Sequence, residues 1–170
     1  MSLRKTLNTA IAALTLSKID HALIGGMALA AYGINRATGD VDLLIDGSQK
    51  ELAKNTLIHE GFLLKVETAE VLHFEGIGLL DVLLAQRPLS IEMLKNASVI
   101  PSLKVKCLCV EDLIGLKIQA YVNNYKREYQ DKADIRSLIE KVPTLDWTKV
   151  KRYADLFQQW PAIQDIQKRI

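Results

Sequence analysis

Cysteine, proline, histidine and aromatic residues are all scarce in this chain: two cysteines, four prolines, three histidines and 6% aromatics among 170 residues. The two cysteines, Cys107 and Cys109, stand two positions apart on a predicted strand, and such neighbours rarely bridge. A disulfide scaffold is thereby excluded, and free buried thiols in a reducing cytoplasm are expected. The histidines (His21, His59, His73) are scattered and build no zinc-ligand spacing with the cysteines. No stretch reaches the ~18 uninterrupted apolar residues of a membrane span, so no membrane partner is expected. A net charge of +2 excludes a strongly basic nucleic-acid binder. The tilt between halves is slight: nine basic and eleven acidic residues in 1–100, thirteen and nine in 101–170. It permits a polyanionic substrate without arguing for one.

What is present is a 49% hydrophobic chain, enough for a sizeable core in one domain or one domain with a helical extension. The basic, mildly apolar start reads as an amphipathic helix over 3–17 rather than a signal peptide, with Leu3, Leu7, Ile11 and Leu14 on one face. Strands are predicted at 22–25, 41–45, 62–66, 71–75, 79–84 and near 104–109, and short helices at 27–32 and 89–95. Ser48 with Glu51 three residues later forms a capping box for a helix over 49–60, which Gly61 stops. Gly76 and Gly78 mark a turn, and Pro101 breaks the stretch from Val99 to Val110 into irregular chain plus strand. From Glu111 onward the pattern is helical, over 111–128, 131–142, 146–159 and 161–169, with Pro143 and Pro161 as punctuation. The expected architecture is α/β: a mixed sheet flanked by helices over residues 1–110, then a helical bundle over 111–170.

The chemistry concentrates between His21 and Asp46. An apolar run ends in Gly25-Gly26, and a paired glycine opening a helix lets backbone approach a phosphate. Arg36 and Thr38 follow, then Asp40 and Asp42 at the mouth of a second apolar run. Carboxylates at i and i+2 on a strand share one side, roughly 7 Å apart. Asp81 is the lone charge in the run from Gly78 to Leu84, costly to bury unless paired or bound to metal. Three such carboxylates suit two magnesium ions, whose oxygen shells admit substrate phosphates. Asp40 and Asp42 would then hold metal and triphosphate, and Asp81 would serve the attacking hydroxyl. The bland alternatives are a turn feature for the pair and a satisfied strand-end carboxylate for Asp81. Arg36 either reaches phosphate or is a surface arginine; Thr38 either orients the loop or is a turn residue.

Farther on, Leu113, Leu116, Ala120 and Asn124 are expected to form a stripe that includes Lys117. Ile135, Leu138, Ile139 and Val142 form another, and stepping back along that helix reaches Asp134 and Asp131. Charges on core-facing stripes want partners. Two readings stand open: an ion pair of Lys117 with Asp131 or Asp134, or a phosphate-contacting Lys117 oriented by the two aspartates. Asp131 also suits a helix N-terminus. The interleaved Tyr121, Tyr125, Lys126, Arg127 and Tyr129 read either as a stacking surface for a base or RNA, or as ordinary helix amphipathicity.

Gly25-Gly26, Arg36-x-Thr38-x-Asp40-x-Asp42 and Asp81 together resemble the DNA polymerase β-like nucleotidyltransferase superfamily. With the segments around Lys117 and Asp131-x-x-Asp134, the nearer resemblance is to its AbiEii-type branch, which includes toxins of abortive-infection and toxin–antitoxin systems. The resemblance implies the nucleotidyltransferase fold and Mg²⁺ at Asp40, Asp42 and Asp81. It implies triphosphate contacts from Gly25 and Gly26, with Lys117 near them. It also implies transfer of a nucleoside monophosphate from an NTP to a hydroxyl of RNA, protein or a small molecule, and an antitoxin partner for a toxin. Gly26 stands where much of the superfamily has serine, and the chain is short for the branch. A binding module of the same fold without turnover and a metal-dependent phosphodiesterase are the competing classes. A dinucleotide-binding loop is excluded, because the glycines do not follow G-x-G-x-x-G.

Overall fold

The computed structural model describes residues 2–101 and 103–170. It divides into two compact units, one formed by the residues up to Ala31 with Arg36–Leu108, the other by Tyr32–Asn35 with Cys109–Ile170.

The first unit holds α1 (Leu3–Leu16), β1 (His21–Ile24), α2 (Gly25–Ala31), β2 (Asp40–Asp46), α3 (Lys50–His59), β3 (Leu63–Glu67), β4 (Val71–Glu75), β5 (Leu79–Ala85), α4 (Pro88–Asn96), β6 (Ser98–Ile100) and β7 (Val105–Cys107). All seven strands join one mixed sheet in the order β3-β4-β5-β2-β1-β7-β6. β2 is central, antiparallel to β1 and parallel to β5. It is also rich in buried residues, with Val41, Leu43, Leu44 and Ile45 all inside. Such a strand reads as a continuous apolar run because both faces are covered. α1, α2 and α4 all pack against it.

Local chemistry corrects several expectations. The inward face of α1 runs through Thr6, Leu7, Ala10, Ala13 and Leu14. Leu3 and Ile11 fall to its margin, since Ala10 and Ala13 are small enough to admit close packing. Ser48 with Glu51 does not cap α3. Asp46 instead accepts bonds from the Ser48 N–H at 2.9 Å and its hydroxyl at 2.7 Å, closing a 3₁₀ turn over Gly47–Gln49 before the helix. The stretch after Val99 is more ordered than Pro101 suggests. β6 and β7 pair as a hairpin, with Pro101 in the turn and Lys104 at φ +54, while position 102 lies outside the described residues. Cys109 lies beyond β7, at the residue preceding the next helix; neither cysteine is in a disulfide, Cys107 being buried and Cys109 half-buried.

The second unit is helical: α5 (Val110–Asn123), α6 (Glu128–Lys141), α7 (Trp147–Leu156) and α8 (Trp160–Lys168). α5 packs on α6 and α7, and α8 on both α6 and α7. The helix expected over 111–128 breaks at Asn124, whose extended backbone (φ −144, ψ 97) and side-chain bond from the Lys126 N–H start a 3₁₀ turn. The buried row on α5 is therefore Leu113, Ile114, Lys117, Ile118 and Tyr121, with Asn124 exposed and Leu116 at the margin. Asp146 caps α7, accepting from the Thr148 and Lys149 N–H groups. No helix among the described residues is long and apolar enough to cross a membrane.

Candidate active site

The sheet register builds the carboxylate cluster. Parallel pairing of β2 with β5 sets Asp42 directly beside Asp81. Asp40 precedes Asp42 by two residues, so its side chain emerges on the same face. Asp40, Asp42 and Asp81 bring one carboxylate oxygen each to within 4.8 Å of one another, and they are the sole such grouping among the described residues. All three are half-buried. Three carboxylates this close repel one another, and an arrangement of hard oxygen donors fits a divalent cation such as magnesium.

The glycine pair is held against this cluster. Gly25 starts α2 at φ +64, and a β-carbon there would stand 1.8 Å from Asp42 Oδ2. At Gly26 a β-carbon would lie 2.6 Å from Thr38 Oγ1 and 2.8 Å from Arg36. A serine in place of Gly26 would therefore force Thr38 and Arg36 aside. Thr38 steadies the cluster, because its hydroxyl donates to Asp40 Oδ1 at 2.9 Å. Arg36 sits beside Gly26, half-buried on the same loop.

One residue beside this cluster was not singled out from the sequence. His73 on β4 pairs across to Asp81 on β5, and its Nδ1 lies 2.7 Å from Asp81 Oδ1. A signal was nonetheless present, since β4 and β5 form a hairpin centred on Ile77, between Gly76 and Gly78, and His73 and Asp81 are equidistant from that centre.

The second unit gathers the other predicted residues. Lys117 Nζ lies 3.0 Å from Asp131 Oδ1 and 2.6 Å from Asp134 Oδ2, all three buried. Arg127 Nε donates to Asp131 Oδ2 at 3.1 Å, and Gln130 to Asp134 Oδ1 at 3.0 Å. The ammonium is thus engaged by two carboxylates inside its own unit. Tyr121 is buried, with its hydroxyl on Gln159, whereas Tyr125 and Tyr129 are exposed. Burial first, then the nearby Glu128 charge, pushes the Tyr121 hydroxyl up to about 12.

A buried group unforeseen in the sequence lies between α5 and α7. Asp112 is fully buried and receives bonds from Cys109 Sγ (3.0 Å), Lys149 Nζ (2.7 Å) and the Tyr153 hydroxyl. Lys149 Nζ also reaches Cys109 Sγ at 3.3 Å. Burial, reinforced by the bond to Asp112, pushes the Cys109 thiol up to about 12. Burial alone would lower Lys149, but its bonds to Asp112 and Cys109 outweigh it and raise it. Thiolate chemistry at Cys109 is thereby suppressed, and the group acts as a structural tie.

The mixed sheet, with these carboxylates on adjacent strands, is the nucleotidyltransferase fold. Among solved structures, the chain is similar to the solution structure of the antibiotic-resistance factor ANT(2″)-Ia, at 18% identity over 98% of this chain and 96% of that chain, with a TM-score of 0.72. It is also similar to the lincomycin-bound lincosamide antibiotic adenylyltransferase LnuA, at 15% identity over 81% and 97%, TM-score 0.60. A third is an antigenic nucleotidyltransferase-like protein from Paracoccidioides brasiliensis, at 23% over 98% and 92%, TM-score 0.56. No family model matches the sequence, and no curated protein does. The likeness is one of fold, carried by backbone geometry far more than by residue identity.

Proposed function

We propose that this protein is an Mg²⁺-dependent nucleotidyltransferase that moves a nucleoside monophosphate from an NTP to an acceptor hydroxyl and releases pyrophosphate. The observation that carries this reading is the convergence of Asp40, Asp42 and Asp81 within 4.8 Å on adjacent strands of the nucleotidyltransferase fold. These three would hold two magnesium ions, which when bound neutralise the triphosphate and favour attack at its α-phosphorus. Gly25 and Gly26 keep side chains away from the space beside Asp42 and Thr38, which suits the approach of the triphosphate. Thr38 holds Asp40, and Arg36 supplies positive charge next to Gly26. In the reaction the acceptor oxygen bonds to the α-phosphorus and the bond to pyrophosphate breaks. Asp81 is the carboxylate assigned to take the hydroxyl's proton. Lys117 with Asp131 and Asp134 is assigned a supporting role through the ion pairs of its own unit, because its ammonium already has two carboxylate partners.

The acceptor is RNA, a protein or a small molecule, and the neighbours named as an antibiotic-resistance factor and as a lincosamide antibiotic adenylyltransferase add antibiotic hydroxyls to that choice. The AbiEii-like motifs favour a cytoplasmic toxin opposed by an antitoxin, and two cysteines outside any disulfide accord with a reducing compartment. The test is transfer from each α-³²P-labelled NTP, with Mg²⁺, to total RNA, to cell protein and to a panel of aminoglycosides and lincosamides. Wild type should label one acceptor class and release pyrophosphate. Asp42→Asn should abolish labelling while leaving the circular dichroism spectrum unchanged. Labelling by Asp42→Asn at near wild-type rate would remove the metal assignment, and failure of wild type with every acceptor would favour a nucleotide-binding module without turnover.

A further inference from the structure

One sheet row runs across five strands, through Ile24, Asp42, Asp81, His73 and Val66. His73 thus has one polar neighbour in the row, Asp81, and meets it at 2.7 Å through Nδ1. An ionised carboxylate only accepts, so Nδ1 carries the proton and donates. The side chains are 42% and 30% exposed, and an ion pair or hydrogen bond so open to water contributes little to folding. The fold therefore has small need of this histidine, whereas the carboxylate cluster has a clear one. Rotation about the last bond of an aspartate is broad and soft, so an unheld carboxylate samples many orientations. Asp40 is held by Thr38, and Asp81 is held by His73.

Resting on the metal-site reading given above, we infer that His73 is a positioning residue. It fixes the orientation of Asp81, and so pre-forms the divalent-cation site before nucleotide arrives. Outer partners of this kind commonly change metal affinity by about 10–100-fold when removed. His73→Leu deletes the donor, while His73→Asn keeps an N–H close to where Nδ1 stood.

The test is Mn²⁺ affinity of the full chain without nucleotide, read from the electron paramagnetic resonance signal of free Mn²⁺. Wild type, His73→Leu, His73→Asn and Asp42→Asn are compared, with melting temperatures alongside. The expected result is about 10-fold or greater weakening in His73→Leu, recovery in His73→Asn and an unchanged melting temperature in both. Loss of binding in Asp42→Asn establishes the underlying site independently. Wild-type affinity in His73→Leu beside a silent Asp42→Asn would overturn the role of His73 alone. Wild-type affinity in Asp42→Asn would remove the metal site and this inference with it. A fall in melting temperature that tracks the affinity loss, with no recovery in His73→Asn, would make His73 structural and overturn the inference.

Discussion

A β-carbon at Gly25 would meet the carboxylate of Asp42 at 1.8 Å while the backbone sits at φ +64, so alanine there offends twice. A non-glycine residue in that region costs about 1–3 kcal/mol, and the clash must be relieved by moving the very side chain the site needs. Gly25→Ala is therefore expected to lower the free energy of unfolding by about 1–3 kcal/mol in urea titration. It should also weaken Mn²⁺ binding, unlike a surface Gly39→Ala, whose β-carbon meets nothing within 4 Å. Equal effects of the two changes would contradict the close approach. Gly26 differs in kind: its conformation is ordinary, and the obstruction comes from Thr38 and Arg36. Gly26→Ser should lower the urea midpoint as well as loosen the bond from Thr38 to Asp40, because the β-carbon of Thr38, 2.7 Å from the added one, can move away only with its backbone.

Pairs of elements are tied by buried charge as well as by apolar contact. α5 and α7 meet at Asp112, Lys149 and Tyr153, and α5 meets α6 at Lys117, Asp131 and Asp134. Removing one member leaves an uncompensated buried charge, so Lys117→Met should cost about 3–5 kcal/mol, seen as a lower urea midpoint. A loss well under about 1 kcal/mol would show that the ammonium is not engaged as the distances indicate. The Cys109–Asp112–Lys149 tie makes stability pH-dependent on the alkaline side. The thiol titrates near 9.0 when unfolded and about 12 when folded, so between those values the unfolded state gives up a proton that the folded state keeps. Lys149 is raised above 10.5, and its contribution likewise holds below that value and is lost as pH rises through its folded pKa. Both act in one direction: stability falls as pH climbs from about 9 toward 12, and Cys109→Ala should flatten the first part of that decline. A decline unchanged in Cys109→Ala would mean that the thiol is not held by the group. The pairing of Lys117 with Asp131 or Asp134 was one of the two readings the sequence offered, whereas the Asp112 group was not visible there. Asp112 lies in the first turn of its helix, where an acidic residue suits the dipole whether or not Lys149 waits 37 residues later.

Across the whole molecule, what could be read beforehand depended on how local its cause was. Six of the seven strands and the glycine–carboxylate segment are announced by contiguous apolar runs and by glycines and carboxylates close together in the chain, while β6 was not. The sheet order, which sets β5 rather than β3 or β4 beside β2, is long-range and emerged only in three dimensions. His73 lay between these cases, legible only once the β4–β5 hairpin was centred on Ile77. The proposed nucleotide site is likewise a property of the assembled chain, because Gly25 and Asp42 meet Asp81, from a distant strand, only in the folded state. A ligand that binds only that state raises its stability by about 2.7 kcal/mol at 100 times its dissociation constant. For 170 residues this corresponds to a rise in melting temperature of roughly 5–10 °C. With Mg²⁺ present, at least one of ATP, GTP, CTP and UTP should produce such a shift, and the largest shift names the preferred base. Omitting Mg²⁺ or introducing Asp42→Asn should erase it, since either leaves the triphosphate facing carboxylates with no cation between them. A shift that persists in Asp42→Asn would place the nucleotide elsewhere on the molecule. No shift with any of the four would count against a free-standing nucleotide site in this chain, however closely its backbone follows the fold.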